Sequence, residues 1–238
     1  MTKLLQLNAR HSAAVWSLLE KSVKEQGVDI VAVQDPPMEA KLPIGKWEGF
    51  HFLFGRGSSP QVAIAIKQSI GFISLDLGCK RVCGLVIQVS GFACSILSAY
   101  LQHSSGEGHL ELSQSLGVAH ARAQGIVLCA DCNGHSPLWG PRSVSLNAVG
   151  ELVENILLQE NLIILNNSDS PPTFRGDRGQ VSWIDITAAS PNIVSRVVSW
   201  RVMEDLEVGS DHIPVVTRLA LGPRRVAIRQ VLNWKTMD

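Results

Sequence analysis

The chain lacks net charge, long apolar runs and the commonest nucleotide-handling loops, and each absence narrows its function. Lys and Arg together number 21, as do Asp and Glu. That balance argues against a protein that coats nucleic acid by bulk electrostatics, though not against one acting at chosen sites. No stretch of about 18 apolar residues occurs, so no membrane-spanning helix and no membrane partner are expected. The opening MTKLLQLNAR is too short an apolar patch for a signal peptide, and Asn8 and Arg10 interrupt it. No G-x-x-x-x-G-K-[ST] loop is present to cradle phosphates, and no G-x-S-x-G elbow. The 238 residues suffice for one large domain or two small ones, and 45% hydrophobic against 18% charged residues is the profile of a packed globule.

Cysteine is scarce and odd in number: Cys79, Cys83, Cys94, Cys129 and Cys132. Without a secretory context this points to free thiols in a reducing compartment. Cys79-x3-Cys83 with Cys129-x2-Cys132 has the ligand count for a four-thiolate zinc site. Both pairs lie in apolar, strand-like text, which favours the alternative of small buried core residues.

The remaining pattern is strand-rich with inserted helices. Strands are expected over 3–7, 28–33, 50–54, 62–66, 85–89, 93–101, 125–130, 162–165, 182–187, 194–202 and 213–219. Residues 13–25 carry an apolar face at Val15, Leu18, Leu19 and Val23, and Gly27 stops that helix. Helices are also expected over 110–123 and 147–160. Two runs of strands, each interrupted by helices, imply two packed sheets with helices outside. No linker or repeat divides residues 1–220. From Gly222 onward Gly-Pro breaks the pattern, and Arg224, Arg225, Arg229 and Lys235 stand against Asp238 alone. Residues 1–221 are therefore expected to form the domain, with 222–238 a basic extension leading into a longer polypeptide.

Several short motifs place polar residues where an apolar strand meets a loop: Gln6-Leu7-Asn8, Val33-Gln34-Asp35-Pro36, Ala130-Asp131-Cys132-Asn133, Ser182-Trp183-Ile184-Asp185 and Ser210-Asp211-His212. Each alone is ordinary, since an Asp at a strand end is most often a turn former or a cap. Asp131 and Asn133 share a face only if the strand continues that far. As a set they describe metal-assisted phosphodiester hydrolysis. The oxygens of Asp35 and Asn8 suit Mg²⁺, Asp131 can orient or deprotonate a water, and His212 held by Asp185 can stabilise charge or protonate a leaving group.

The ordered set QLN, VQDP, SAY, ADCN, SWID and SDH resembles the exonuclease–endonuclease–phosphatase superfamily over residues 4–219. The resemblance implies an α/β fold, a four-layered sandwich of two mixed β-sheets flanked by helices, as in DNase I. Within it, Asn133 to Gly140 (NGHSPLWG), Pro172-Thr173-Phe174 and Asn233-Trp234-Lys235 resemble the endonuclease domains of non-LTR retrotransposons, especially arthropod target-specific elements. Carried over position by position, the resemblance puts Asn8 near metal and phosphate and Asp35 at the metal. It makes Tyr100, the single tyrosine, a phosphate contact. Asp131 and Asn133 then align the water and bind the scissile phosphate, Asp185 orients His212, and Asp211 assists at the metal or positions the His. At the metal position the family usually has Glu, so Asp35 is shorter by about 1.5 Å of reach.

Residues 173–182 are expected to form a β-hairpin entering the SWID strand, with Gly176, Asp177 and Gly179 at its turn. In the family this hairpin is associated with target recognition, so Thr173, Arg175, Arg178 and Gln180 become DNA-contact candidates, with an ordinary polar hairpin tip as the alternative. His135 and Trp139 are candidates for the DNA surface, with loop packing equally open for Trp139. The function expected is a Mg²⁺-dependent (alternatively Mn²⁺-dependent) endonuclease. It nicks one strand of double-stranded DNA in the nucleus and leaves a 3′-hydroxyl that primes a reverse transcriptase domain of the same polypeptide. A repair nuclease or phosphatase of the same superfamily, or a catalytically weak DNA-targeting module, are the alternatives.

Overall fold

The computed structural model describes residues 1–39, 42–43, 46–89, 91–102 and 106–222. The basic extension expected beyond Gly222 lies outside them. Strand β1 (Thr2–Asn8) leads through helix α1 (Ala13–Glu25) to a parallel strand β2 (Ile30–Gln34). Strands β3 (Met38–Glu39) and β4 (Leu42–Pro43) form a small ladder of their own. β5 (Phe50–Phe54) and β6 (Val62–Lys67) extend the first sheet, β6 antiparallel to β2 and β5 antiparallel to β6. β7 (Phe72–Leu75), β8 (Val82–Val89) and β9 (Phe92–Tyr100) form a meander that begins a second sheet. Helix α2 (Gly106–Arg122) then crosses to β10 (Gly125–Asp131), parallel to β9. Helix α3 (Ala148–Gln159) leads to β11 (Ile163–Ile164), the hairpin β12 (Phe174–Arg175) and β13 (Val181–Ser182), then β14 (Asp185–Ala189). Helix α4 (Pro191–Val194), β15 (Val197–Val202) and β16 (Val215–Leu219) return the chain to the first sheet.

The sheets run β15-β16-β1-β2-β6-β5 and β11-β14-β10-β9-β8-β7. Between them lies a core of Leu4, Ile30, Ile64 and Ile66 against Leu85, Ile87, Ile96 and Val127. The outer face of the first sheet carries Leu5, Leu7, Val31 and Val33 under the Val15, Trp16, Leu19 and Val23 face of α1. The outer face of the second packs Leu97, Leu128 and Ile186 beneath Leu112 and Leu116 of α2 and Val153 and Leu157 of α3. The result is the four-layered α/β sandwich of two mixed sheets. Because both faces of each central strand are covered, those strands are continuous apolar runs rather than alternating ones. Packing, more than capping, holds α1. Burying Leu19 or Val23 contributes about 1.5–3 kcal/mol each, against about 1 kcal/mol for the Ser12 cap on Val15.

Three departures from the sequence expectation have local causes. The strand expected over 182–187 is two strands, because the Thr173 hydroxyl takes the N–H groups of Ile184 (3.1 Å) and Asp185 (3.0 Å) out of the ladder. The strand expected from 194 begins at Val197, since Pro191 starts a short helix there. β7 carries no clear strand pattern in the sequence, being a short edge strand with Ile73 left exposed. The zinc alternative is not formed. Cys83 and Cys129 face the core between the sheets, whereas Cys79 and Cys132 face the helix layer. All five thiols are free, and burial pushes those of Cys94 and Cys129 up to about 12.

Candidate active site

The two parallel pairs place the polar motifs together. β1 ends at Asn8, β2 at Gln34, β9 at Tyr100 and β10 at Asp131, so four carboxyl ends meet at one end of the sandwich. There, loops can carry ligand-binding groups without disturbing the sheets. The register adds the rest. Asp131 pairs with Tyr100 on one side and with Asp185 on the other. His212 lies just before β16, which runs antiparallel to β1 and so starts at the same end. Polar bridges tie the sheets beneath the site. Gln34 Nε2 donates to Ser98 Oγ (3.0 Å), and Thr187 Oγ1 donates to Gln6 Oε1 (3.2 Å).

At the centre, His212 Nδ1 lies 2.9 Å from Asp185 Oδ2, and both side chains are buried. His212 Nε2 faces Asp131 Oδ2 at 3.9 Å. The same Asp131 oxygen accepts from Asn8 Nδ2 at 2.8 Å. Burial works against a charged His212, but the Asp185 carboxylate, with Asp131 and Asp211 behind it, outweighs burial and raises the imidazole to about 9. Burial first, then the Asp185 carboxylate, holds the Asp131 carboxyl well above the usual range. An imidazolium paired with one carboxylate thus faces a second carboxylate that is ready to hold a proton.

Asp35 follows β2 in a left-handed turn (φ 46°). Its carboxyl is raised by burial, while His11, whose Nε2 lies 3.3 Å from Oδ1, and the Tyr100 hydroxyl oppose the shift. Asp211 is not bonded to His212. It pairs with Arg10, whose Nη1 is 2.8 Å from Oδ2. Asn133 reaches the site differently from the strand extension considered above. β10 stops at Asp131, and Asn133 turns left-handed (φ 49°), its Nδ2 donating to the Leu101 carbonyl at 2.9 Å. Among the described residues, five non-glycine residues have positive φ, and four of them, Arg10, His11, Asp35 and Asn133, lie in these loops. Such conformations cost about 1–3 kcal/mol each and gather where function constrains the backbone.

The donors suit a divalent cation. Asp35 Oδ1 and Asp211 Oδ1 are buried carboxylate oxygens without a conventional hydrogen bond, Asp35 Oδ1 having the His11 imidazole 3.3 Å away, and hard cations take such oxygens. Asp131, Asp185 and His212 also present ligand atoms within 4.8 Å of one another. The His212–Asp185 bond already commits Nδ1 of that imidazole, which leaves the carboxylate oxygens as the better donors.

The hairpin stands beside this centre. Arg175 N donates to the Asp211 carbonyl (2.8 Å) and Ile213 N to the Thr173 carbonyl (2.7 Å), so β12 adds to the segment that carries His212. The Phe174 ring meets the imidazole edge-on at 5.1 Å between centroids. Thr173 is fully buried and its hydroxyl is spent on Ile184 and Asp185, so it is a structural residue rather than a DNA contact. Arg175 is exposed and pairs with Glu204, and Arg178 and Gln180 are exposed at the turn. Trp139 is not on the surface. It is fully buried and donates its indole N–H to the Gly134 carbonyl at 3.2 Å. His135 is half-buried, its N–H held by Asn147 Oδ1 at 3.0 Å. Three contributors have no role assigned from sequence: Arg10, His11 and Ser210, the last present only as part of SDH. The Ser210 hydroxyl donates to the Asn8 carbonyl at 2.8 Å. The signal for Arg10 and His11 was their place just past QLN, after Ala9.

Solved structures share this architecture. The chain is similar to the endonuclease domain of TRAS1, a telomere-specific non-LTR retrotransposon, at 21% identity and a TM-score of 0.80, covering 92% of this chain and 98% of that one. It is also similar to the Xenopus laevis APE2 catalytic domain, at 14% identity and a TM-score of 0.74 over 95% and 94% of the two chains. The AP endonuclease LMAP of Leishmania major gives 13% identity and a TM-score of 0.73 over 91% and 86%. No curated protein matches the chain significantly. At these identities the structures establish a common fold. The family model described as endonuclease–reverse transcriptase matches residues 94–216, from β9 into β16, and so takes in Tyr100, Asp131, Asn133, Asp185 and His212. Covering more than half of the sequence, that match shows that the chain belongs to the endonuclease–reverse transcriptase family.

Proposed function

We propose that the chain is a divalent-metal-dependent DNA endonuclease that nicks one strand of duplex DNA, leaving a 3′-hydroxyl and a 5′-phosphate. The observation that carries this reading is the buried Asp185–His212 pair facing Asp131, which is itself held by Asn8. Asp131 orients a water and takes its proton as the water oxygen bonds to phosphorus. The P–O3′ bond breaks, and the imidazolium of His212, held charged by Asp185, offsets the charge developing on the phosphate or protonates the departing oxygen. A divalent cation, Mg²⁺ or Mn²⁺, would be held by Asp35 with Asn8 nearby and would supply Lewis-acid stabilisation. Tyr100 and Asn133 position the phosphate. The hairpin at residues 175–180 meets the duplex and selects the target. The 3′-hydroxyl primes a reverse transcriptase domain of the same polypeptide, which puts the reaction on chromosomal DNA in the nucleus.

A second reading, a catalytically weak DNA-targeting module, draws on the short Asp35 carboxylate and on His11 already lying against it. Supercoiled-plasmid nicking separates the two. Wild-type protein should nick with Mg²⁺ and not with EDTA, and Asp131→Ala or His212→Ala should lower the rate by about 10²–10⁴-fold. Equal nicking by His212→Ala would sink the mechanism. DNA binding without any nicking would favour the second reading.

A further inference from the structure

The mechanism above leaves Arg10 unused, although its guanidinium is built into the rim of the site. The turn that carries it is fastened on two sides. Arg10 N donates to Asn8 Oδ1 (2.8 Å) and Ser12 N to the Ala9 carbonyl (2.9 Å). His11 N donates to the Asp35 carbonyl (2.8 Å), and its Nδ1 lies 3.0 Å from the Pro36 carbonyl. Ser210 Oγ holds the Asn8 carbonyl from the opposite loop. These bonds keep Arg10 and His11 both left-handed, at φ 50° and 53°. A left-handed backbone costs non-glycine residues energy, and these bonds offset that cost at two successive positions.

The turn sets Nη1 of Arg10 on Asp211, the neighbour of His212, while the Asn8 end of the same turn holds Asp131. The ion pair is lopsided. The Asp211 side chain is 11% exposed and that of Arg10 is 53% exposed. Nη1 of the planar fork is held on Asp211, while about half of the Arg10 side chain remains exposed and its other donors are not committed to that carboxylate. With the guanidinium half exposed, the pair contributes about 1 kcal/mol in stability, less than two strained residues cost. The substrate supplies a reason. A phosphodiester carries a negative charge, and here it must approach Asp35, Asp131, Asp185 and Asp211 in a chain of zero net charge. A guanidinium keeps its charge at every working pH and matches phosphate oxygens two at a time.

We propose that Arg10 is a substrate-positioning residue that binds a non-bridging oxygen of the phosphodiester at or next to the cut, with Asp211 fixing its inner edge. This rests on the phosphodiesterase reading above. The test uses the full chain and a short duplex centred on its strongest mapped plasmid nick site. Affinity is read by fluorescence anisotropy with calcium in place of magnesium, so that binding is scored without turnover. Single methylphosphonates, which lack the charge, replace each phosphate near the cut in turn. Arg10→Gln should weaken binding of the unmodified duplex about tenfold or more and leave Tm unchanged. One methylphosphonate should weaken the wild type to a similar degree and Arg10→Gln no further. Arg10→Lys should recover part of the loss. If Arg10→Gln binds as the wild type does, or if its loss multiplies with that of every methylphosphonate, Arg10 only neutralises Asp211 and the proposal is wrong. A loss of Tm with no phosphate-specific coupling would likewise assign Arg10 to the fold. Wild-type protein that neither nicks nor binds any duplex would remove the endonuclease reading and this proposal together. Wild-type nicking without coupling at Arg10 removes the proposal alone.

Discussion

At the scale of single residues, the site is a contest between burial and charge. His212 would be neutral if burial acted alone, and its carboxylate neighbours raise it to about 9 instead. Asp131 moves upward as well, through burial and Asp185. The rate of nicking needs Asp131 ionised and His212 protonated. It should therefore rise through a limb that lies above the ordinary carboxylate range and fall as pH passes about 9. A pH–rate profile checks this, and His212→Gln should abolish the alkaline limb. Thr173 makes a second case. Thr173→Val keeps its shape but leaves the N–H groups of Ile184 and Asp185 buried without an acceptor, at about 1–3 kcal/mol each. Thermal melting should show Tm lowered by about 2–4 °C per kcal/mol, and Thr173→Ser should recover most of it.

At the scale of elements, the chemistry depends on strand ends rather than on strands. The β1–α1–β2 and β9–α2–β10 units each deliver two carboxyl ends to the same end of the sandwich. A parallel pair needs a long crossover, so the helices that cover the outer faces are also what bring Asn8 beside Asp35 and Tyr100 beside Asp131. The β12–β13 hairpin is fastened to the segment bearing His212 by the Arg175–Asp211 and Ile213–Thr173 backbone bonds. Its turn, at residues 176–180, takes no part in those bonds. Shortening that turn should move the preferred cut sites on a mixed DNA substrate and leave plasmid nicking in place. Unchanged cut sites, read by sequencing the nicked ends, would remove the hairpin from target choice.

At the scale of the whole molecule, zero net charge takes on a narrower meaning. Four acids, Asp35, Asp131, Asp185 and Asp211, sit in the site, which leaves 21 cations against 17 acids elsewhere. The segment after Gly222 accounts for most of that excess. A body so nearly neutral neutralises few phosphates. Non-specific DNA binding should be weak, and log Kd against log salt should have a slope of magnitude below about 3. A salt titration by anisotropy measures it, and a slope near 10 would contradict the near-neutral composition. No described helix is long and apolar enough to cross a membrane.

Much was decided by sequence alone. The apolar runs of β1, β2, β6 and β10 and the helical face of α1 follow from local side-chain pattern, which fixes what each segment must bury. The order of QLN, VQDP, ADCN, SWID and SDH makes Asn8, Asp35, Asp131, Asn133, Asp185 and His212 candidates from sequence alone. Contacts between distant segments were not legible in it. Arg10 meets Asp211, Thr173 serves Ile184 and Asp185, and Gln34 crosses to Ser98. Nothing local in either partner signals the other. The break of the expected strand at Trp183 and Ile184, the left-handed turns at Arg10, His11 and Asp35, and the burial of Trp139 share this origin. Local pattern determines which surfaces an element must cover. Which side chain covers them, and which polar group then needs a partner, is decided when the two sheets close on each other.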